Sequence, residues 1–289
     1  MELTVARTAG FCFGVQRAVD TVYEQIEEAK KSGERVYTYG PIIHNEHVVR
    51  EFAAGGVQVV DTPEELAALQ EGTVIIRSHG APESIYRLCE EKGLRVVDAT
   101  CPFVKRIHRT VQEQNALGRR VLIIGDPAHP EVEGIRGWGR PDTVVLQNMD
   151  ELPSLNLVPE ADGTPLAVVA QTTFNHRKFK EMIAEIKALG YDLLCFNTIC
   201  NATQERQEEA AKLASDSDAM VIIGSSHSSN TRKLYEISKE RCDSTFFVDS
   251  AEELAEKKFP PAKKIGITAG ASTPKHIIEE VQNYVRSQF

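Results

Sequence analysis

Residues 119–135 read RRVLIIGDPAHPEVEGI: four consecutive apolar residues (121–124), a Gly-Asp-Pro turn, then His-Pro-Glu opening a segment of helical periodicity. A strand apolar at every position suits the inside of a parallel sheet, where helices cover both faces. The pattern recurs in RVYTYGPIIHN, TVIIRSHGAPESIYRLC, LRVVDATCPFVKRIHRTV, LAVVAQTTFNHRKFKEMI, AMVIIGSSHSSNTRKLYEI and KKIGITAGASTPKHIIEEV. Alternating β and α segments of this kind predict an α/β protein of parallel strands joined by crossover helices.

Punctuation agrees. Pro82, Pro102 and Pro274 stand where a first helical turn would begin, a position that tolerates the missing N–H. Gly33, Gly93, Gly118 and Gly190 follow charged helical stretches as C′ residues. The stretch 150–165, DELPSLNLVPEADGTP, reads as an irregular surface connection.

Of 289 residues, 33 are Lys or Arg and 42 are Asp or Glu, a formal charge of −9, and no basic block stands out. That balance disfavours a nucleic-acid partner but leaves room for a phosphate held by local N–H groups. No basic n-region with an apolar h-region opens the chain, and about 18 consecutive apolar residues never occur, so no membrane span and a cytoplasmic location are expected. Length alone gives about two domains at roughly 150 residues each. The recurrence of the theme instead suggests three α/β units, 1–98, 99–197 and 198–289, with the extreme N-terminal strand open to pairing with the third.

The six cysteines are too few for a disulfide scaffold. Cys89, Cys195 and Cys242 read as buried packing residues. Cys12 (AGFCFGV), Cys101 (DATCPFV) and Cys200 (NTICNAT) each fall in a strand-to-helix turn, one per third of the chain, where a helix N-terminus favours the thiolate. Three thiolates invite a metal. A structural zinc would normally take four ligands with C-x-x-C pairing, which is absent, and an iron–sulfur cluster is the alternative.

His44, His79 and His129 lie in loops just after strands, where ligands bind in open α/β sheets, whereas His47, His108, His176 and His276 fall within or beside helices and read as surface or partly buried residues. Hydroxyl and amide loops follow three other strands: Gln171-Thr172-Thr173, Ser228-Ser229-Asn230, and Ala269 through Ser272. Each is an ordinary N-cap composition; together with the histidine loops they suggest an anion pocket. Glu131, two residues after His129, is the carboxylate that a closed cavity would keep protonated, with Glu133 as its solvated neighbour. No P-loop, G-x-G-x-x-G or G-x-S-x-G occurs.

The runs GFCFGVQRAV, HNEHVV, SHGAP, DATCPFV, HPEVEG, QTT, ICNATQERQ, SSN and TAGAST, in this order over almost the whole chain, resemble the LytB/IspH family of 4-hydroxy-3-methylbut-2-enyl diphosphate reductases. The resemblance implies three α/β units with small, mainly parallel sheets arranged as a trefoil around a central [4Fe–4S] cluster. It implies that Cys12, Cys101 and Cys200 hold that cluster and leave one iron open. His44, His79, His129, Thr172, Ser228, Ser229, Asn230 and Ser272 would then line the substrate pocket, with Glu131 and Thr172 at the reacting hydroxyl and Glu131 as proton donor. The implied reaction is the last step of the non-mevalonate isoprenoid pathway: two-electron reductive removal of an allylic hydroxyl, giving isopentenyl and dimethylallyl diphosphates. The implied partners are a small allylic diphosphate and an external electron donor such as ferredoxin or flavodoxin. Phe13, after the first cysteine, replaces a small residue common in relatives. A redox-neutral cluster hydro-lyase and a non-catalytic iron–sulfur sensor remain as rivals, separated from a reductase by dependence on a reductant and by turnover.

Overall fold

Twelve short strands alternate with helices in the computed structural model, which describes residues 2–155, 157, 164–257, 259 and 261–288. The first elements are β1 (Glu2–Val5), α1 (Phe13–Ser32), β2 (Val36–Tyr39), α2 (Glu46–Ala54), β3 (Val57–Val60), α3 (Pro63–Ala68), β4 (Thr73–Ile76), α4 (Glu83–Glu91) and β5 (Arg95–Asp98). Next come α5 (Pro102–Ala116), β6 (Val121–Ile124), α6 (Pro130–Arg136), β7 (Val144–Leu146), β8 (Leu166–Ala170), α7 (His176–Ala188) and β9 (Leu193–Cys195). The last are α8 (Asn201–Ser215), β10 (Ala219–Ile223), α9 (Ser229–Lys239), β11 (Thr245–Val248), α10 (Ala251–Ala255), β12 (Lys264–Ala269) and α11 (Lys275–Gln288).

The strands form three four-stranded sheets, ordered β3-β2-β4-β5, β7-β6-β8-β9 and β11-β10-β12-β1, and every pairing is parallel. The three orders are one order. Number each unit's strands along the chain and all read 2-1-3-4, except that β1, from the other end of the chain, fills the fourth place of the third sheet, with Glu2 opposite Lys264. The inner strands β2, β4, β6 and β10 are buried at every residue, whereas the outer strands β1, β5 and β9 carry exposed or half-buried positions. This is why the inner strands are continuously apolar in sequence and the outer ones are mixed.

Alternation assigns the two faces of each sheet to different helices. In the second sheet Leu122, Ile124, Val168 and Ala170 pack with Phe179, Met182 and Ile186 of α7. Val121, Ile123, Ala167 and Val169 pack with Ile107 and Val111 of α5 and Val132 and Ile135 of α6. In the third, Val221, Ile223, Ile265 and Ile267 meet α11, while Met220 and Ile222 meet α8 and α9. Each fully buried Ile or Leu contributes about 1.5–3 kcal/mol.

The chain divides into two compact units: Met1–Gln16, Ile43–Arg50 and Cys200–Phe289 form one, containing the third sheet, and Arg17–Ile42 with Glu51–Ile199 form the other, containing the first two sheets. Pro102 is the first residue of α5 as expected, while Pro82 and Pro274 stand one residue outside their helices. Gly33, Gly93, Gly118 and Gly190 all terminate helices. In the 150–165 connection Met149–Leu155 forms a 3-10 turn, and residues 156 and 158–163 lie outside the described residues. No described helix is long and apolar enough to cross a membrane.

Candidate active site

In a parallel sheet ordered 2-1-3-4, the crevice between the first and third strands opens at their carboxyl ends. Six loops follow such strands, and they carry the sequence-predicted binding residues: His44 after β2, His79 after β4, His129 and Glu131 after β6, Thr172 after β8, Ser228 to Asn230 after β10 and Ser272 after β12. The three predicted cysteine ligands also occupy one topological place. Cys12, Cys101 and Cys200 each follow the fourth strand of a sheet, β1, β5 and β9, just before a helix.

In the unit built on the first two sheets, the loops after β2 and β4 are tied together. The backbone N–H and hydroxyl of Ser78 both donate to the Ile42 carbonyl, at 3.3 and 3.0 Å. The Cys101 N–H donates to the Ser78 carbonyl at 3.0 Å, which places the cysteine turn beside the His79 loop. Arg17 on α1 braces the same turn by donating to the Asp98 and Thr100 carbonyls at 3.2 and 3.3 Å.

The second sheet brings Glu131 and Thr172 together. The Thr172 N–H donates to Glu131 Oε1 at 2.6 Å and its hydroxyl to Oε2 at 2.7 Å. Glu131 is 2% exposed. Burial pushes its carboxyl up to about 7, against the two Thr172 hydrogen bonds that pull it down. A carboxyl poised there can hold a proton at neutral pH and give it up. Glu133 is exposed, as its reading as a solvated neighbour requires. The Glu131 N–H donates to His129 Nδ1 at 3.1 Å, which leaves the proton of a neutral ring on Nε2, and the His79 and His129 rings meet edge to face with centroids 5.3 Å apart.

Linkage follows from the Glu131 shift. The folded chain holds this proton up to about pH 7, whereas the unfolded carboxyl releases it near 4.5, so the contribution to stability is complete below pH 4.5 and is lost as pH rises to 7. The full loss is about 3 kcal/mol. Glu131→Gln removes the titration. The variant is therefore expected to gain stability relative to wild type as pH goes from 5 to 8, measured by urea unfolding; a pH-independent difference would contradict the assignment.

In the other unit, Ser228 caps α9, accepting from the Thr231 N–H at 3.3 Å, and Ser228, Ser229, Asn230 and Ser272 are all buried. Asn230 Nδ2 is buried with no hydrogen-bond partner, a donor suited to an anionic oxygen. The Ser272 hydroxyl donates to the His44 carbonyl at 3.2 Å, joining the loops after β2 and β12. Close backbone approach here depends on Gly270, whose added Cβ would lie 2.0 Å from Thr231 Oγ1.

The donor set suits a thiolate-held group. None of the six cysteines forms a disulfide; Cys12, Cys101 and Cys200 are half-buried, and the latter two are helix N-caps whose side chains make no capping bond. The Arg206 guanidinium is buried with its Nε unpartnered. Burial lowers its pKa, and the Cys12 and Cys200 thiolates are the foremost groups opposing that.

Two expectations need correction. Cys89 and Cys242 are buried, but Cys195 is exposed, because β9 is an edge strand. His108 is buried and stacks on Trp138 with centroids 5.3 Å apart, and burial pushes its pKa down to about 4. The sequence signalled none of its setting: Trp138 donates from Nε1 to the Ala81 carbonyl at 2.9 Å, and the His108 ring lies 2.6 Å from where a Cβ on Gly80 would stand. Together they support the His79 loop from beneath.

A family model described as LytB protein matches residues 3–286. The chain is 43% identical over 282 residues to the 4-hydroxy-3-methylbut-2-enyl diphosphate reductase of Alkaliphilus oremlandii, covering 97% of this chain and 98% of that one. It is 42% identical to the protein of the same name from Aquifex aeolicus, covering 99% and 96%. A solved structure of (E)-4-hydroxy-3-methyl-but-2-enyl diphosphate reductase, the terminal enzyme of the non-mevalonate pathway, superposes with a TM-score of 0.68 at 41% identity, covering 99% of this chain and 100% of that one. The Plasmodium falciparum E-1-hydroxy-2-methyl-but-2-enyl-4-diphosphate reductase gives a TM-score of 0.88 at 27% identity, covering 99% and 87%.

Proposed function

The chain belongs to the LytB protein family, and from that premise we propose how its residues carry out the family's reaction. It is a 4-hydroxy-3-methylbut-2-enyl diphosphate reductase of the non-mevalonate isoprenoid pathway. The reaction breaks the allylic C–O bond and forms a C–H bond. It takes up two electrons and two protons, one proton leaving with the oxygen as water and the other ending on carbon, to give isopentenyl or dimethylallyl diphosphate.

The observation that carries the residue-level reading is the buried Glu131 carboxyl, held by two hydrogen bonds from Thr172 and titrating at about 7. Glu131 holds the proton for the departing hydroxyl, and the Thr172 hydroxyl orients both the carboxyl and the substrate oxygen. Ser228, Ser229, Asn230 and Ser272 bind the diphosphate, with Asn230 Nδ2 supplying a donor already stripped of water. His44, His79 and His129 are assigned to substrate binding as well, where they would add positive charge when protonated. Anchoring by the non-reacting diphosphate turns binding energy into positioning of the hydroxyl.

Cys12, Cys101 and Cys200 would hold a [4Fe–4S] cluster, leaving one iron without a protein thiolate. When bound, such a cluster supplies electrons one at a time and a Lewis acid for the hydroxyl oxygen. The electrons come from an external carrier of the ferredoxin or flavodoxin class, and a cytoplasmic location fits that supply.

Anaerobic incubation of purified protein with the hydroxylated diphosphate and a reduced mediator tests this. Two five-carbon diphosphates are expected, one product molecule for every two electrons consumed and none without reductant. Iron-replete protein that yields no product, or yields it without reductant, would overturn the reading.

A further inference from the structure

Cys200 is the N-cap of α8, and Thr203, Arg206 and Glu209 follow it at intervals of three. Side chains on a helix lean toward its N-terminus, so this series forms a stripe running back to the cysteine. Each member makes a defined contact. Thr203 Oγ1 lies 3.1 Å from Cys200 Sγ. Arg206 donates from Nη2 to the Gly10 carbonyl at 2.7 Å and from Nη1 to the Ala202 carbonyl at 3.1 Å. Glu209 accepts from the Arg7 N–H through Oε1 at 2.9 Å, and through Oε2 from the Thr8 N–H at 2.9 Å and the Thr8 hydroxyl at 2.5 Å.

The turn between β1 and Cys12 is thus hung from α8 at Arg7, Thr8 and Gly10, and Cys12 comes two residues after the last attachment. Gly10 adopts φ +97°, and a Cβ there would stand 3.1 Å from Ile278 Cδ1, so the turn has little freedom to relax. A guanidinium buried to 5% exposure, bonded to carbonyls with Nε unpartnered, is costly unless negative charge lies close by.

We propose that Arg206 and Glu209 are positioning residues that fix Cys12 relative to Cys200 before any iron arrives, with the Arg206 charge also balancing the negative charge of the assembled thiolate-held cluster. This rests on the reading that Cys12 and Cys200 are cluster ligands. Hydrogen bonds behind a ligand commonly change metal retention by 10–100-fold, and a pre-formed turn avoids the ordering cost at assembly.

The test uses anaerobically purified holoprotein carrying Glu209→Ala, Arg206→Gln, Arg206→Lys, Glu208→Ala as an exposed control on α8, and Cys12→Ser. Three quantities are read: the rate of iron release to a chelator, the midpoint potential of the cluster and the circular-dichroism melt. Glu209→Ala and Arg206→Gln are expected to release iron at least about tenfold faster than wild type or Glu208→Ala with little change in the melt. Arg206→Gln is expected to make the midpoint more negative. Arg206→Lys is expected to restore the midpoint but not the release rate, because an ammonium keeps the charge and cannot span two carbonyls as the guanidinium fork does.

Release rates within twofold of wild type in Glu209→Ala would overturn the proposal, as would faster release that merely tracks a lower melting temperature. Glu209 is partly exposed, so that variant decides the matter should Arg206→Gln fail to fold. Full iron retention in Cys12→Ser would instead overturn the ligand assignment itself, whatever the other variants do.

Discussion

Glu131→Gln is expected to lower kcat by roughly 10²–10⁴-fold, the range that general acid catalysis contributes, while iron content stays at the wild-type level. Glutamine keeps the volume and can still accept from the Thr172 N–H, so the site's shape survives and only the exchangeable proton is lost. KM for the diphosphate substrate should change little, because the loops after β10 and β12, proposed to bind the diphosphate, belong to a different sheet. In wild type, the carboxyl pushed up to about 7 should make kcat fall as pH rises through neutrality, since the proposed donor is its acid form. A variant that turned over within tenfold of wild type would exclude Glu131 as the proton donor, and steady-state kinetics under a reduced mediator measures this directly.

Serine in place of Cys12, Cys101 or Cys200 is expected to remove more than roughly half of the bound iron and the brown absorbance, because an alkoxide is a far poorer iron ligand than a thiolate. Activity should fall with the iron. Alanine at Cys89, Cys195 or Cys242 should leave both intact. Of these, Cys89 and Cys242 are buried, and losing the sulfur costs stability on the order of 1 kcal/mol, whereas exposed Cys195 should cost almost nothing. Equal sensitivity of the two groups in an iron assay would refute the division.

The inner strands were legible in the sequence because full burial on two faces demands continuous apolar runs, and VLII at β6 or AMVII at β10 admits no other reading. The loops after them were legible for the same reason: a polar cluster between such a strand and a helix marks a strand's carboxyl end. The common place of the three cysteines was only half visible. Cys101 and Cys200 directly follow the strands that complete their sheets, but Cys12 follows β1, whose partner β12 lies at the opposite end of the chain.

Side chains that act through others were not legible. Arg206 falls in the ICNATQERQ run and Glu209 just after it, but nothing in that run says what either side chain touches; their bonds to Gly10, Arg7 and Thr8 do. His108 reads as a surface or partly buried residue because helical periodicity in PFVKRIHRTV does not say how far the buried face extends; Trp138, a distant residue, covers it. Cys195 misled in the opposite sense, since the sequence of an edge strand resembles that of an inner one when it is only three residues long.

The central claim is that three cysteines from three equivalent strand ends hold one four-iron cluster with a single distinct iron. A Mössbauer spectrum of protein enriched in ⁵⁷Fe, taken anaerobically with and without the hydroxylated diphosphate, tests it most directly. The account predicts iron in a three-to-one ratio of environments, with only the minor component changing when the diphosphate is added. Four equivalent irons indifferent to the diphosphate, or a spectrum unchanged in Cys12→Ser, would contradict it.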